Sequence, residues 1–172
     1  HHCGYGSIQK LSTVEHDYLT DGFWAKDFSE ELPAEGISAS FLVRMEDVTE
    51  QVLSVVNDTM TWAERNAAIA AKSKELEIAA SEDGKYNPII SAFFEGNEYY
   101  MFVYRVYTDV RLVGTPPTSI GKFGGDTDNW MWPRHTGDFS IFRVYADAEG
   151  NPAPYSPDNK PLTPKHHLPV SL

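Results

Sequence analysis

The chain has 172 residues, 41% of them hydrophobic and 23% charged, which is the composition of one globular domain or a piece of a larger one and excludes wholesale disorder. Its 14 Lys and Arg against 25 Asp and Glu leave a net charge of −11, the wrong balance for a binder of nucleic-acid phosphates. The longest apolar runs, at 67–71 and 99–104, fall far short of the roughly 20 residues a membrane-spanning helix needs.

The sequence opens on His1-His2-Cys3, without Met or a targeting segment, and stops at Pro169-Val170-Ser171-Leu172 in what reads as mid-strand, so a fragment is expected. His1-His2 reads either as the stump of a purification tag or as native sequence, since Cys3-Gly4-Tyr5-Gly6 runs on with no linker. A single cysteine forms no disulfide within the chain, which leaves Cys3 free or paired outside it. Residues 15–35 are acidic and read as a solvated surface loop anchored by Tyr18, Phe23 and Trp24. Gly36 then opens a strand over 37–45.

Helical periodicity follows over 46–57, and Thr61 with Glu64 forms a capping box ahead of an alanine-rich helix to Ala80 that stops at Ser81-Glu82-Asp83-Gly84. This helical excursion, about 46–80, is expected to carry no chemistry. Strands return at 87–94 and 98–113, separated by Glu95-Gly96-Asn97, and again at 139–145, closed by turn residues over 147–152. Tyr99, Tyr100, Phe102, Tyr104 and Tyr107 read as strand packing, and Asp109 and Arg111 as an ion pair on one face of the same strand. Residues 153–169 look like an extended connection. The predicted fold is mainly β and antiparallel, with a helical insert.

The glycine-rich segment 121–138 concentrates the unusual residues. Trp130 and Trp132 stand two apart in this segment. Asp126 and Asp128 hint at a calcium loop, but the Gly and Glu of an EF-hand are missing; the spacings of a phosphate-cradling loop are absent too. A sugar site lined by tryptophan and carboxylates and a packed structural loop both remain open for this segment. His135, His166 and His167 show no ligand spacing and read as structural or surface residues.

His2-Cys3 and Gly137-Asp138-Phe139-Ser140-Ile141 resemble the His and Asp stations of a chymotrypsin-type serine peptidase, with the base just before a Cys and the carboxylate at the start of a strand. The chemistry explains the pairing: a serine hydroxyl attacks only once an imidazole takes its proton, and that imidazole needs a carboxylate to fix its tautomer and balance its charge. The separation of 136 residues exceeds that of a compact chymotrypsin barrel, and the helical insert and the acidic loop account for the excess.

The wider match is more specific. His1-His2-Cys3-Gly4-Tyr5-Gly6, Asp21-Gly22-Phe23-Trp24-Ala25, Glu31-Leu32-Pro33, Thr108 to Gly114, Ile120 to Tyr145 and Pro164 to Pro169 resemble the bacterial dipeptidyl-peptidase 7 and dipeptidyl-peptidase 11 group, family 46 of the serine peptidases. The resemblance implies a periplasmic or cell-surface exopeptidase that removes dipeptides from the free N-termini of oligopeptides, homodimeric and without a cofactor or metal. It implies a chymotrypsin-like double β-barrel of which this chain, 1–172, is part of the first barrel, a single partial domain without the second barrel and the helical cap. By position, His2 matches the catalytic base, His1 its non-catalytic neighbour and Asp138 the orienting carboxylate. Asn129 and Trp130 match the residues that hold the substrate's free amino end, and Cys3 a disulfide cysteine whose partner lies upstream. The family's nucleophile lies in a Gly-Asn-Ser-Gly-Ser-Pro type motif that does not occur here, so the isolated chain is expected to be inactive. The alternative is a non-catalytic β domain that binds peptide or glycan through Trp130 and Trp132.

Overall fold

The computed structural model describes residues 4–125, 127, 131–132, 135–164, 166 and 169. In chain order the elements are α1 (Tyr5–Leu11), α2 (Tyr18–Asp21), β1 (Phe23–Trp24), β2 (Leu32–Pro33), β3 (Ala39–Asp47), α3 (Thr49–Leu53) and α4 (Trp62–Ala80). They continue with β4 (Asn87–Phe93), a 3-10 turn (Phe94–Gly96), β5 (Glu98–Tyr107), β6 (Val110–Thr115), α5 (Thr118–Gly121), β7 (Ile141–Ala146) and β8 (Lys160–Pro161). The fold is mainly β and antiparallel, with few helices and its strands in two sheets. The chain forms two compact units: Ser40–Val106, and the residues up to 39 together with those from 107 onward.

In the unit Ser40–Val106, β3, β5 and β4 form a sheet in that order, with Ile89 opposite Phe102 and Ile90 opposite Met101. Alternation along β5 buries Tyr99, Met101 and Val103, which pack with Val48 and Val52; Ile69 and Leu76 of α4 close the cluster. The capping box is formed: Thr61 Oγ1 accepts from the Glu64 amide at 3.3 Å, and Glu64 accepts from the Thr61 amide at 2.8 Å. The helix predicted over 46–57 is shorter. Glu46 and Asp47 complete β3, the Val48 amide bonds to Tyr99 O at 2.9 Å, and the Asp47 carboxylate receives the Thr49 amide at 2.9 Å, so helix starts only after the strand bonding ends.

In the other unit the strand order is β1-β6-β7-β8, with β2 sharing the β6 edge with β1. Phe23 faces Thr115, Leu32 faces Leu112, and β6 meets β7 through Val110–Val144, Arg111–Arg143, Leu112–Phe142 and Gly114–Ile141, with a bulge between Leu112 and Gly114. Ile8, Leu19 and Leu112 form the buried centre, supported by Tyr18, Phe23 and Phe142.

Three expectations are corrected here. The single strand read over 98–113 breaks at Thr108-Asp109 into β5 and β6, which belong to different sheets, and Asp109 O instead accepts from the Tyr145 amide at 2.8 Å. The extended stretch from 153 onward includes β8, paired with the end of β7. The acidic loop is built rather than simply solvated. Asp17 caps α2, β1 and β2 line β6, and Glu31 is buried, accepting from Arg143 Nε at 2.8 Å and from the Tyr145 hydroxyl at 2.9 Å.

Asp109 and Arg111 do pair, as the sequence predicts, with both side chains buried. Arg111 makes a two-pronged contact at 2.9 and 2.8 Å, also donates to Ser156 O at 2.9 Å, and stacks over Tyr145 at 3.6 Å. Asn159 donates to Asp109 at 2.8 Å and so ties the tail of the unit to the pair. Burial pushes the Asp109 carboxyl up, but hydrogen bonds from Arg111 and Asn159 and the guanidinium charge outweigh it and hold it below the ordinary carboxylate value. Burial, followed by the bond to Glu31, pushes the Tyr145 hydroxyl up to about 12.

Candidate active site

Asp138 is partly buried and lies three residues before β7, so the register of β7 on β6 sets where its backbone enters. The Gly137 amide donates to Ile120 O at 3.1 Å, which joins the acid's segment to the end of α5. On the other side, Phe139 packs on Trp24 with ring centroids 6.0 Å apart. Trp24 itself lies against β6 at Gly114, where a Cβ would stand only 2.4 Å from the ring; a side chain there would push the indole away. The strand start that carries Asp138 is thus held from both sides.

The N-terminal segment comes to the same place. Gly4 O accepts from the Ser7 and Ile8 amides at 3.1 and 2.9 Å and starts α1, and Ile8 is wholly buried in the core. Gly4 approaches Ser140 so closely that a Cβ would stand 2.8 Å from Ser140 Oγ. Ser140 Oγ in turn lies 3.5 Å from Oγ1 of the fully buried Thr115. Lys122 Nζ sits 5.3 Å over the Tyr5 ring, a further link between α1 and the residues after α5.

Of the site residues read from the sequence, Asp138 is placed in this way, whereas His2, Cys3, Asn129 and Trp130 lie outside the described residues. Trp132, the second indole of the glycine-rich segment, is exposed. Trp24, Gly114, Ser140 and Thr115 surround the Asp138 segment and were not read as site residues. The sequence signal for them is slight: a glycine within a β-rich run, facing an aromatic residue ninety positions away. Among the described residues no group of three or more His, Cys, Asp and Glu is placed to hold a metal ion, and no helix is long and apolar enough to cross a membrane.

Chemically, a carboxylate fixed at a strand start, with the chain's N-terminal segment packed two residues further on, suits the orientation of a neighbouring basic side chain. Comparison with known proteins gives the family. Residues 1–172 match the family described as Peptidase S46. The chain is 58% identical over 172 residues to Dipeptidyl-peptidase 7 of Capnocytophaga gingivalis, covering 100% of this chain and 24% of that protein. It is 52% identical over 179 residues to the Asp/Glu-specific dipeptidyl-peptidase of Porphyromonas gingivalis, covering 25% of it. The crystal structure of Porphyromonas endodontalis DPP11 in complex with dipeptide Arg-Asp superposes with a TM-score of 0.87 at 47% identity, over 99% of this chain and 25% of that one. The chain therefore spans about a quarter of the length of the curated relatives it matches.

Proposed function

The chain belongs to the Peptidase S46 family, and from that membership we propose that it is the His- and Asp-bearing portion of a serine exopeptidase that releases dipeptides from the free N-termini of oligopeptides. The observation that carries this reading is the match over all 172 residues of this chain, at 58% identity, to a named dipeptidyl-peptidase. The geometry supports it: Gly4 and Ser140, in close contact, each stand two residues after a candidate, His2 and Asp138 respectively.

In this mechanism His2 is the general base that takes the proton of a serine hydroxyl supplied from outside the 172 residues, then returns it to the leaving amine. Asp138 orients the imidazole and stabilises its charged form. Asn129 accepts from the substrate ammonium through its side-chain carbonyl, and Trp130 walls the pocket, so that cleavage falls two residues from a free amino end. On the same reading, the pocket that selects the penultimate side chain is built largely by the second barrel, outside these 172 residues. The same reading makes 1–172 part of one catalytic domain completed by a second barrel and a helical cap. It also pairs Cys3 in a disulfide with an upstream cysteine in an exported, periplasmic or surface-held homodimer.

The test uses the full-length protein and fluorogenic dipeptidyl substrates with the amino terminus free or blocked, for the wild type, His2→Ala and Asp138→Asn. Release from the free form alone is expected, lowered about 10⁴-fold by Asp138→Asn and abolished by His2→Ala. Release that ignores the blocking group, or that survives both substitutions, overturns the proposal. Release from neither form, with several residue types tried, turns attention to peptide or glycan binding by the tryptophan loop.

A further inference from the structure

The contact between Gly4 and Ser140 does more than fill space. Resting on the catalytic reading above, the geometry points to Gly4 and Ser140 as positioning residues, a spacer that sets how closely the segment bearing His2 approaches the strand start bearing Asp138. A Cβ on Gly4 would stand 2.8 Å from Ser140 Oγ, 3.1 Å from Ser140 Cβ and 3.3 Å from Ile8 Cδ1. The Ile8 methyl is the far end of a flexible side chain and can give; the Ser140 Cβ, bonded to the backbone one residue before β7, gives only if that backbone shifts by a few tenths of an ångström.

Neither side of the contact can absorb an extra methyl locally. Gly4 is tied to α1 by the Ser7 and Ile8 amides, and α1 is anchored by the buried Ile8. Ser140 is held by its neighbours: Phe139 rests on Trp24, Ile141 pairs with Gly114, and the Ser140 hydroxyl meets buried Thr115. His2 stands two residues before Gly4 and Asp138 two before Ser140, so the contact is at most about 7 Å of chain from either position. A base displaced by about 1 Å costs on the order of 10²-fold in rate.

The experiment compares Gly4→Ala, Ser140→Gly and the double variant in the full-length protein, reading kcat, KM, the pH profile of kcat/KM and the thermal midpoint. Gly4→Ala is expected to lower kcat by up to about 10²-fold with little change in KM. It should also move the acid limb of the profile to lower pH, because a base moved away from its carboxylate loses the charge that raises its pKa. Ser140→Gly removes both the Oγ and the Cβ that the new methyl would meet, so the double variant should return to the kcat and acid limb of Ser140→Gly alone. Unchanged kcat in folded Gly4→Ala overturns the proposal, as does a thermal loss without a shifted acid limb. If Gly4→Ala does not fold, the double variant decides: kcat equal to Ser140→Gly supports the spacer, and a further loss refutes it. An active wild type with unaffected His2→Ala and Asp138→Asn variants would instead refute the catalytic reading itself.

Discussion

Arg111→Met tests whether the buried ion pair holds the end of β7 in place. The side chains of Arg111 and Asp109 are 7% and 1% exposed, and the guanidinium supplies both short contacts to the carboxylate. Its removal leaves Asp109 with Asn159 and the Ser156 backbone as partners inside an otherwise closed site. An uncompensated buried carboxylate costs about 3–5 kcal/mol, far more than the same pair would contribute at the surface. The pH dependence gives the sign. In the wild type the folded Asp109 carboxyl lies below 3.8, so its stabilisation is complete above that value and is lost as pH falls through the lower folded value. In Arg111→Met, burial is no longer outweighed, the folded carboxyl rises, and protonation relieves the variant as pH falls. Urea unfolding at pH 7 and pH 4 should therefore show a large gap between the two proteins at pH 7 and a smaller one at pH 4. Adding Asp109→Asn to Arg111→Met should recover part of the loss. A deficit under 1 kcal/mol at pH 7, or a double variant that simply sums the single losses, would refute the reasoning.

Tyr145→Phe removes a hydrogen bond to the buried Glu31 carboxylate and should cost about 1.5–3 kcal/mol in urea unfolding. Because the folded Tyr145 hydroxyl is pushed up to about 12 from 10.0, its contribution of about 3 kcal/mol is present below pH 10 and lost as pH rises toward 12, and the Phe variant should lack that alkaline loss. Gly114→Ala places a methyl 2.4 Å from Trp24 Cε3, so the indole must leave the strand. A loss of about 1–3 kcal/mol in urea unfolding is expected, and no loss would mean the ring does not rest there. Thr61→Ala should raise hydrogen exchange at the Glu64 amide while leaving β6 and β7 protected, since the cap serves the first turn of α4 alone.

What the sequence made legible was local. The alanine-rich helix and its capping box lie within one turn of each other, and the alternation that buries Tyr99, Met101 and Val103 is visible along β5 itself. Asp109 and Arg111 are two positions apart and pair as their spacing suggests. What it hid was non-local. Glu31 reads as one more acid in a solvated run because its partners, Arg143 and Tyr145, are 112 and 114 residues away. The break between β5 and β6 is hidden because apolar residues continue on both sides of Thr108-Asp109, and only the bond from the Tyr145 amide shows that the chain changes sheet there. β1 and β2, two residues each, are too short to announce themselves by periodicity. Asp138 was legible as Gly-Asp ahead of a strand, but the surroundings that hold it come from four distant places: Gly4, Trp24, Thr115 and Ile120.

The two ends of β7 divide the work. Its last residues are fixed by charge: Arg143 and Tyr145 bond Glu31, and Arg111 stacks on Tyr145 while gripping Asp109. Its first residues are fixed by shape, with Gly114 letting the Trp24 ring rest on the strand beside Phe139 and Gly4 letting the N-terminal segment close on Ser140. Buried charge pairs are sensitive to the loss of a partner, whereas close-packed glycine contacts are sensitive to the gain of an atom. Damage at the two ends should therefore look different in one protein. Arg111→Met should lower the unfolding midpoint and leave the acid limb of kcat/KM where it was, because the register of β7 at Gly114–Ile141 does not depend on the pair at its far end. Gly4→Ala should do the reverse, moving the limb with the smaller thermal loss. If both variants moved the limb together, β7 would have to behave as a single lever, and the local spacer at Gly4 would be unnecessary.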